Sequence, residues 1–260
     1  MYQSIVNILA KIKYEKPLIL NITNNVSNDF IANGLLSIGA SPVMSKATQE
    51  IKELMKMAQC VVINIGTLDD NFLTLCHHTC QIANQLHKPI IFDPVGAGAS
   101  QYRTQACMEI IRNYNIAILR GNASEIMSLV DSKILSKGVD TLANSQDAIS
   151  AAQTLTDKYN CCVFVSGKCD LILHASQMSK IERGSALMPM VTGTGCLLSA
   201  VVAAFQSIEI NSFKAATSAG LFYSVCGEMA EEKSQSPGTF KSYFIDALNT
   251  IPMRGHYEKN

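Results

Sequence analysis

Residues 191–196 read Val-Thr-Gly-Thr-Gly-Cys, and an apolar, helix-forming run from Leu197 to Phe205 follows at once. Gly193 and Gly195 can take backbone conformations that other residues avoid, so their amides can converge on one point. A helix starting near Cys196 adds its own unpaired N–H groups and the positive end of its dipole. Together these make a site for an anion, such as a phosphoryl group in transfer. Cys196 falls in the first helical turn, where a thiol tends toward thiolate, fit to be a base or a nucleophile. The same letters would also serve as a tight entry into a packed helix, and the short pattern alone does not separate the two. The five histidines, His77, His78, His87, His174 and His256, sit in helical or surface-like contexts, so no histidine base for the thiol stands out. The chain has no GxxxxGK[ST] loop and no GxGxxG after a first strand.

Placing that turn requires a scaffold, and the sequence supplies one. Short apolar runs alternate with longer helical patterns: PLILNI (17–22), SPVM (41–44), CVVINIG (60–66), KPIIFDPVG (88–96), IAILRGN (116–122), CCVFVSG (161–167) and then DLILHA. Such runs show little alternation, as expected of parallel strands covered on both faces. The expectation is a doubly wound α/β fold. After Gly195 the pattern is three helices, at 196–209, 212–233 and 238–250, and we read residues 1–260 as one domain. Ligands of open parallel sheets bind beyond the carboxyl ends of the strands. That rule selects Asn21, Thr23, Met44, Asn64, Gly66, Asp93, Arg120, Asn122, Ser166 and Gly167. Each has a plainer reading too. Asn122 and Glu125 form the N-x-x-E pattern of a capping box. Asp93 before Pro94 suits a turn, Arg120 an ion pair, Met44 the core, and Ser166 a bond to nearby backbone.

Composition narrows the field. Of 260 residues, 48% are hydrophobic and 16% charged, which is globular, and the formal net charge is zero. Lysine and arginine do not cluster, so no nucleic-acid partner is expected. Nine cysteines, an odd number without paired CxxC motifs, fit reduced thiols in a cytoplasmic protein. The N-terminal segment has helical spacing at Ile5, Ile8, Leu9 and Ile12 and no signal-peptide pattern, and no apolar run is long enough for a membrane.

The segment VTGTGC with its apolar helix resembles the anion-hole motif of the ribokinase-like small-molecule kinases. Most of those carry aspartate where Cys196 stands, and a cysteine there resembles the hydroxyethylthiazole kinases. NITNNV (21–26), GASPVM (39–44), VINIGTL (62–68), FDPVGAGAS (92–100), YRT (102–104), LRGNASEI (119–126) and SKGVD (136–140) agree, colinearly over nearly the whole chain. The resemblance implies a ribokinase-like fold with a mostly parallel sheet flanked by helices on both faces. It implies Mg²⁺-dependent transfer of the ATP γ-phosphoryl group to 4-methyl-5-(2-hydroxyethyl)thiazole in thiamine biosynthesis or salvage, and a homotrimer with interfacial active sites. By position, Met44 and Gly193 would contact the thiazole, and Arg120 and Ser166 would bind ATP. Gly193, Thr194, Gly195 and Cys196 would form the anion hole, with Cys196 as candidate base. Asp93 and Glu125 would serve the Mg²⁺–phosphate region, directly or through water. Ser166 replaces the family's usual threonine, and NNVSNDF and ERGSALMPM depart from its usual segments on the substrate side. Competing readings are a kinase for a hydroxymethylpyrimidine or pyridoxal-class alcohol, a cysteine-nucleophile enzyme at Cys196, and a nucleotide-binding regulator without catalysis.

Overall fold

The computed structural model describes residues 1–130, 145–252 and 254–257. The SKGVD segment at 136–140 lies outside them. The apolar runs form strands β1 (Leu18–Ile22), β2 (Ser41–Met44), β3 (Cys60–Asn64), β4 (Ile90–Asp93), β5 (Ile118–Asn122), β6 (Cys162–Ser166) and β7 (Asp170–His174), followed by β8 (Gln177–Ile181). Among the described residues these eight make one sheet, ordered β2-β1-β3-β4-β5-β6-β7-β8. Pairing is parallel from β2 to β6 and antiparallel for β6–β7 and β7–β8. The sheet is therefore mostly parallel, as expected. Its hairpin end is not foreshadowed, because QMSKI in β8 is largely exposed and has no apolar run.

Successive strand residues point to opposite faces. In β3, Cys60 and Val62 enter one core, and Val61 and Ile63 enter the other. The first core is completed by α1 (Tyr2–Glu15), α2 (Asn28–Ile38) and three later helices, α8 (Thr194–Gln206), α9 (Ser212–Glu231) and α10 (Pro237–Asn249). The second is completed by α3 (Ile51–Met57), α4 (Asp70–Gln85), α5 (Gln101–Asn113), α6 (Ala123–Ser128) and α7 (Ile149–Tyr159). Helices thus cover both faces.

The strand order explains the split. The chain steps one way from β1 to β2, then crosses back to β3 and continues the other way. Right-handed crossovers put the helices of opposite steps on opposite faces. The loops after β1 and β3 therefore diverge, and a crevice opens between those strand ends, where α/β sheets bind ligands. Helix α8 packs along β1, β3 and β4.

Candidate active site

The glycine turn meets the sheet at that crevice. Gly193 is the N-cap of α8 with φ 89°, ψ −2°, a left-handed conformation that glycine adopts without a Cβ penalty. No side chain caps this end, so the amides of Gly195 and Cys196, in the first turn, have no acceptor from the cap residue. The side chain of Thr194 turns the other way, donating to the carbonyls of Met188 and Val191. Thr194 thus contributes backbone to the turn, and its hydroxyl fixes the approach from 188–191. The buried Tyr223 of α9 also donates to the Thr194 carbonyl, at 2.6 Å.

Arg120 lies within β5, and its guanidinium sits against Gly195. A Cβ at Gly195 would come within 2.8 Å of Nη1 and 2.9 Å of Nη2. The absence of a side chain is what lets a cation reach the helix N-terminus. Nη2 donates to Ser166 Oγ at 2.5 Å, and Nη1 lies 3.4 Å from Asp93 Oδ2. Among the described residues its buried Nε has no partner. Burial opposes the charge on Arg120, but Asp93 and Glu125 more than offset it and raise its pKa. It remains a fixed cation suited to a phosphate.

Asp93, fully buried at the end of β4, is beside Asn64 in the register of β3 and β4. Its Oδ2 accepts from Asn64 Nδ2 (2.9 Å) and Ser199 Oγ (2.7 Å), while Oδ1 has no partner among the described residues. Burial raises its pKa, and Arg120, Ser199 and Asn64 counter that. Asn64 Oδ1 in turn accepts from Asn24 Nδ2 at 2.9 Å, and the same Nδ2 lies 3.2 Å from Cys196 Sγ. Asn24 Oδ1 is held by the amides of Val26 and Ser27 and by the Ser27 hydroxyl. One chain of hydrogen bonds therefore runs from Cys196 through Asn24 and Asn64 to Asp93.

Burial, then the charge of Asp93, raises the Cys196 thiol above its ordinary value; Ser27, Arg120 and Asn64 pull it partly back. This corrects the expectation drawn from the helix N-terminus alone, which favoured thiolate. Its neighbour is an asparagine amide, not a histidine. The capping reading of Glu125 is met in full. Oε1 accepts from Gly96 N (2.9 Å), Oε2 accepts from Asn122 N (2.8 Å), and Asn122 Oδ1 accepts from Glu125 N (2.9 Å). Burial and then Asp93 raise Glu125 to about 7.

The donor set suits a Mg²⁺ ion bound mainly through nucleotide and water. The orphaned Asp93 Oδ1 offers one carboxylate ligand, whereas both oxygens of Glu125 already serve backbone amides. No group of three or more His, Cys, Asp or Glu is gathered for a metal among the described residues.

Met44 ends the edge strand β2 and lines a pocket of about 100 Å³ with Asn21, Thr23, Asn28, Ser45 and Lys46. Sequence reasoning gave no role to Asn24, Ser199 or Arg103. Arg103 ties two strand-end loops together: Nη1 donates to the carbonyls of Ile65 and Val95, and Nη2 to that of Gly66. The YRT segment marked the place of Arg103 but not its work. Nothing in an isolated asparagine or serine signals such long-range bonds.

The mostly parallel sheet flanked by helices, with the uncapped N-terminus of α8 against the buried Arg120, has the fold of the ribokinase-like small-molecule kinases. A ribokinase-like superfamily protein from Enterococcus faecalis shares that fold, with TM-score 0.64 at 14% identity over 90% of this chain and 87% of its own. The model of the hydroxyethylthiazole kinase family matches residues 9–254, and the chain belongs to that family and is a kinase of that type. A hydroxyethylthiazole kinase from Chlamydia caviae is 41% identical over 264 residues, covering 100% of both chains. The solved hydroxyethylthiazole kinase protein of Pyrococcus horikoshii has TM-score 0.88 at 35% identity, covering 95% of this chain and 93% of that one.

Proposed function

We propose that this kinase transfers the γ-phosphoryl group of ATP to the side-chain hydroxyl of 4-methyl-5-(2-hydroxyethyl)thiazole, serving thiamine biosynthesis or salvage. The observation that carries the reading is the meeting of the open first turn of α8 with Arg120, Asp93 and Cys196. The alcohol oxygen attacks the γ-phosphorus, the bond to the β–γ bridging oxygen breaks, and ADP leaves with that oxygen. Positioning and charge neutralisation do most of such a reaction. The Gly195 and Cys196 amides and Arg120 stabilise the charge on the moving group, and Ser166 orients the guanidinium. Gly193 and Met44 flank the acceptor.

Mg²⁺ bound with the nucleotide would supply charge neutralisation at the β- and γ-phosphates. Asp93 would hold it, with Glu125 contributing through water. Cys196 would take the alcohol's proton as the thiolate, late in the transfer, when the O–H bond has been made acidic by bonding to phosphorus, and the resulting thiol would return that proton to solvent. Because the pKa of the thiol is shifted upward, only the thiolate fraction is competent. The same shift disfavours the cysteine-nucleophile reading.

One sheet with both cores packed on it supports a single domain over residues 1–260. Family membership supports a homotrimer with interfacial sites, which sedimentation would check. Among the described residues no helix is long and apolar enough to cross a membrane, and a cytoplasmic location accords with the nine free cysteines. ADP release, measured with and without the thiazole alcohol and with and without Mg²⁺, tests the function. Release must need both, and release indifferent to the alcohol ends this reading.

A further inference from the structure

Arg103 in α5 is half-buried, and among the described residues no carboxylate pairs with it. Its guanidinium serves main-chain oxygens instead. Nη1 donates to the carbonyl of Ile65 at 2.8 Å and to that of Val95 at 3.1 Å, and Nη2 donates to that of Gly66 at 3.1 Å. These carbonyls stand just past the carboxyl ends of β3 and β4. Gly96, with φ 80°, leaves room for the side chain to cross: a Cβ there would lie 3.0 Å from Arg103 Cδ.

The opposite ends of the same peptide units are occupied as well. A trans peptide unit is rigid, and its C=O and N–H point in opposite directions. The unit that gives the Ile65 carbonyl to Arg103 gives the Gly66 N–H to Asn64 Oδ1, at 3.0 Å. The unit that gives the Val95 carbonyl gives the Gly96 N–H to Glu125 Oε1, at 2.9 Å. An asparagine amide can present either end, but an N–H is answered only by its oxygen. Asn64 Oδ1 so held leaves Nδ2 for Asp93. The same Oδ1 also receives Asn24 Nδ2, the group that donates to Cys196 Sγ.

We propose that Arg103 is a positioning residue for phosphoryl transfer. Its planar fork grips two peptide units by their carbonyl ends and so aims their N–H ends at Asn64 and Glu125. Through Asn64 it reaches Asn24 and the sulfur of Cys196, and through Glu125 it anchors the start of α6. Lysine cannot take this place, because a compact ammonium lacks the fork. The inference rests on the kinase reading for its kinetic part and not for its titration.

The experiment uses the full chain with Arg103→Lys, which keeps the charge, Arg103→Gln, which keeps one donor group without it, Asn64→Ala, and Arg103→Lys combined with Asn64→Ala. Alkylation of Cys196 is followed against pH by mass spectrometry, without substrates. Arg103→Lys and Arg103→Gln should both raise the pH at which Cys196 becomes reactive. In the Asn64→Ala background Arg103→Lys should add no further shift, because the route through Asn64 is already cut. Asp93 and Arg120, the charged groups that act on this thiol, are the same in every variant. In ADP release, Arg103→Lys should lower kcat about 10- to 100-fold, the scale of misplacing groups by about 1 Å, with KM for the alcohol within about threefold of the parent. Loss of folded protein moves neither a titration midpoint nor KM. A shift that persists undiminished without Asn64, a lysine variant that matches the parent, or a raised KM with unchanged kcat would each overturn the proposal. Absence of alcohol-dependent ADP release in the parent chain would remove the kinase reading and leave the alkylation result to stand. Additive alkylation shifts with normal parent turnover would remove this proposal alone.

Discussion

Arg120 and Gly195 are fitted to each other: a Cβ on Gly195 would lie 2.8 Å from Nη1 of Arg120, a guanidinium already held by Ser166 and Asp93. A methyl group there must push the cation off the helix end. Gly195→Ala is expected to lower kcat/KM for ATP by about 100-fold, the scale of losing one preorganised charge-stabilising group. Steady-state kinetics at matched melting temperature check this, and an unchanged value would show that the cation is not needed at that end.

Asn24 donates to Cys196 Sγ and to Asn64 from the same nitrogen. Donation to sulfur favours the thiolate, so Asn24→Ala should move the Cys196 titration further upward. Alkylation of Cys196 followed against pH by mass spectrometry reads this directly. A downward or absent shift would mean that the contact does not act on the sulfur.

For Cys196 itself, Cys196→Ala should retain turnover, with kcat reduced about 10- to 100-fold, at or below the lower end of ordinary acid–base contributions. Cys196→Asp should keep more activity than Ala if a carboxylate can stand in the same place. Initial rates across pH separate the cases, and full kcat in the Ala variant would leave the thiol no part in proton movement.

Asp170 accepts from the Gly167 amide at 2.9 Å, and burial raises it to about 7 from an ordinary 3.8. The folded chain therefore keeps this proton up to about pH 7, whereas the unfolded chain releases it near 3.8. Its contribution to stability is full below pH 3.8 and is lost as pH rises toward 7. Asp170→Asn keeps the acceptor and cannot ionise. Its melting temperature relative to the parent should climb by several degrees between pH 4 and pH 7. Parallel curves would show that Asp170 is not titrating in that window.

Much of the scaffold could be read from the residues alone. Strands such as Cys60–Asn64 and Ile90–Asp93 are fully buried, and their unbroken apolar runs follow from that. The glycine turn was visible because Gly193 needs its unusual conformation. Strand β8 was not visible, since an edge strand facing solvent has no apolar signature. The bonds of Asn24, Asn64 and Ser199 join residues 40, 29 and 106 positions apart, and only the completed fold brings them together. The thiol was misjudged for a related reason: proximity to the helix end is local, but its burial and its nearness to Asp93 are not.

The hydroxyl of Tyr223 closes on the Thr194 carbonyl from the middle of another helix. The aromatic interior, where Tyr223 meets Phe244 edge-on at 4.8 Å, is thereby mechanically continuous with the glycine turn proposed to receive the phosphoryl group. Redesign of that interior for thermal robustness would be transmitted to turnover, so durability and rate are not independently tunable in this corner of the molecule.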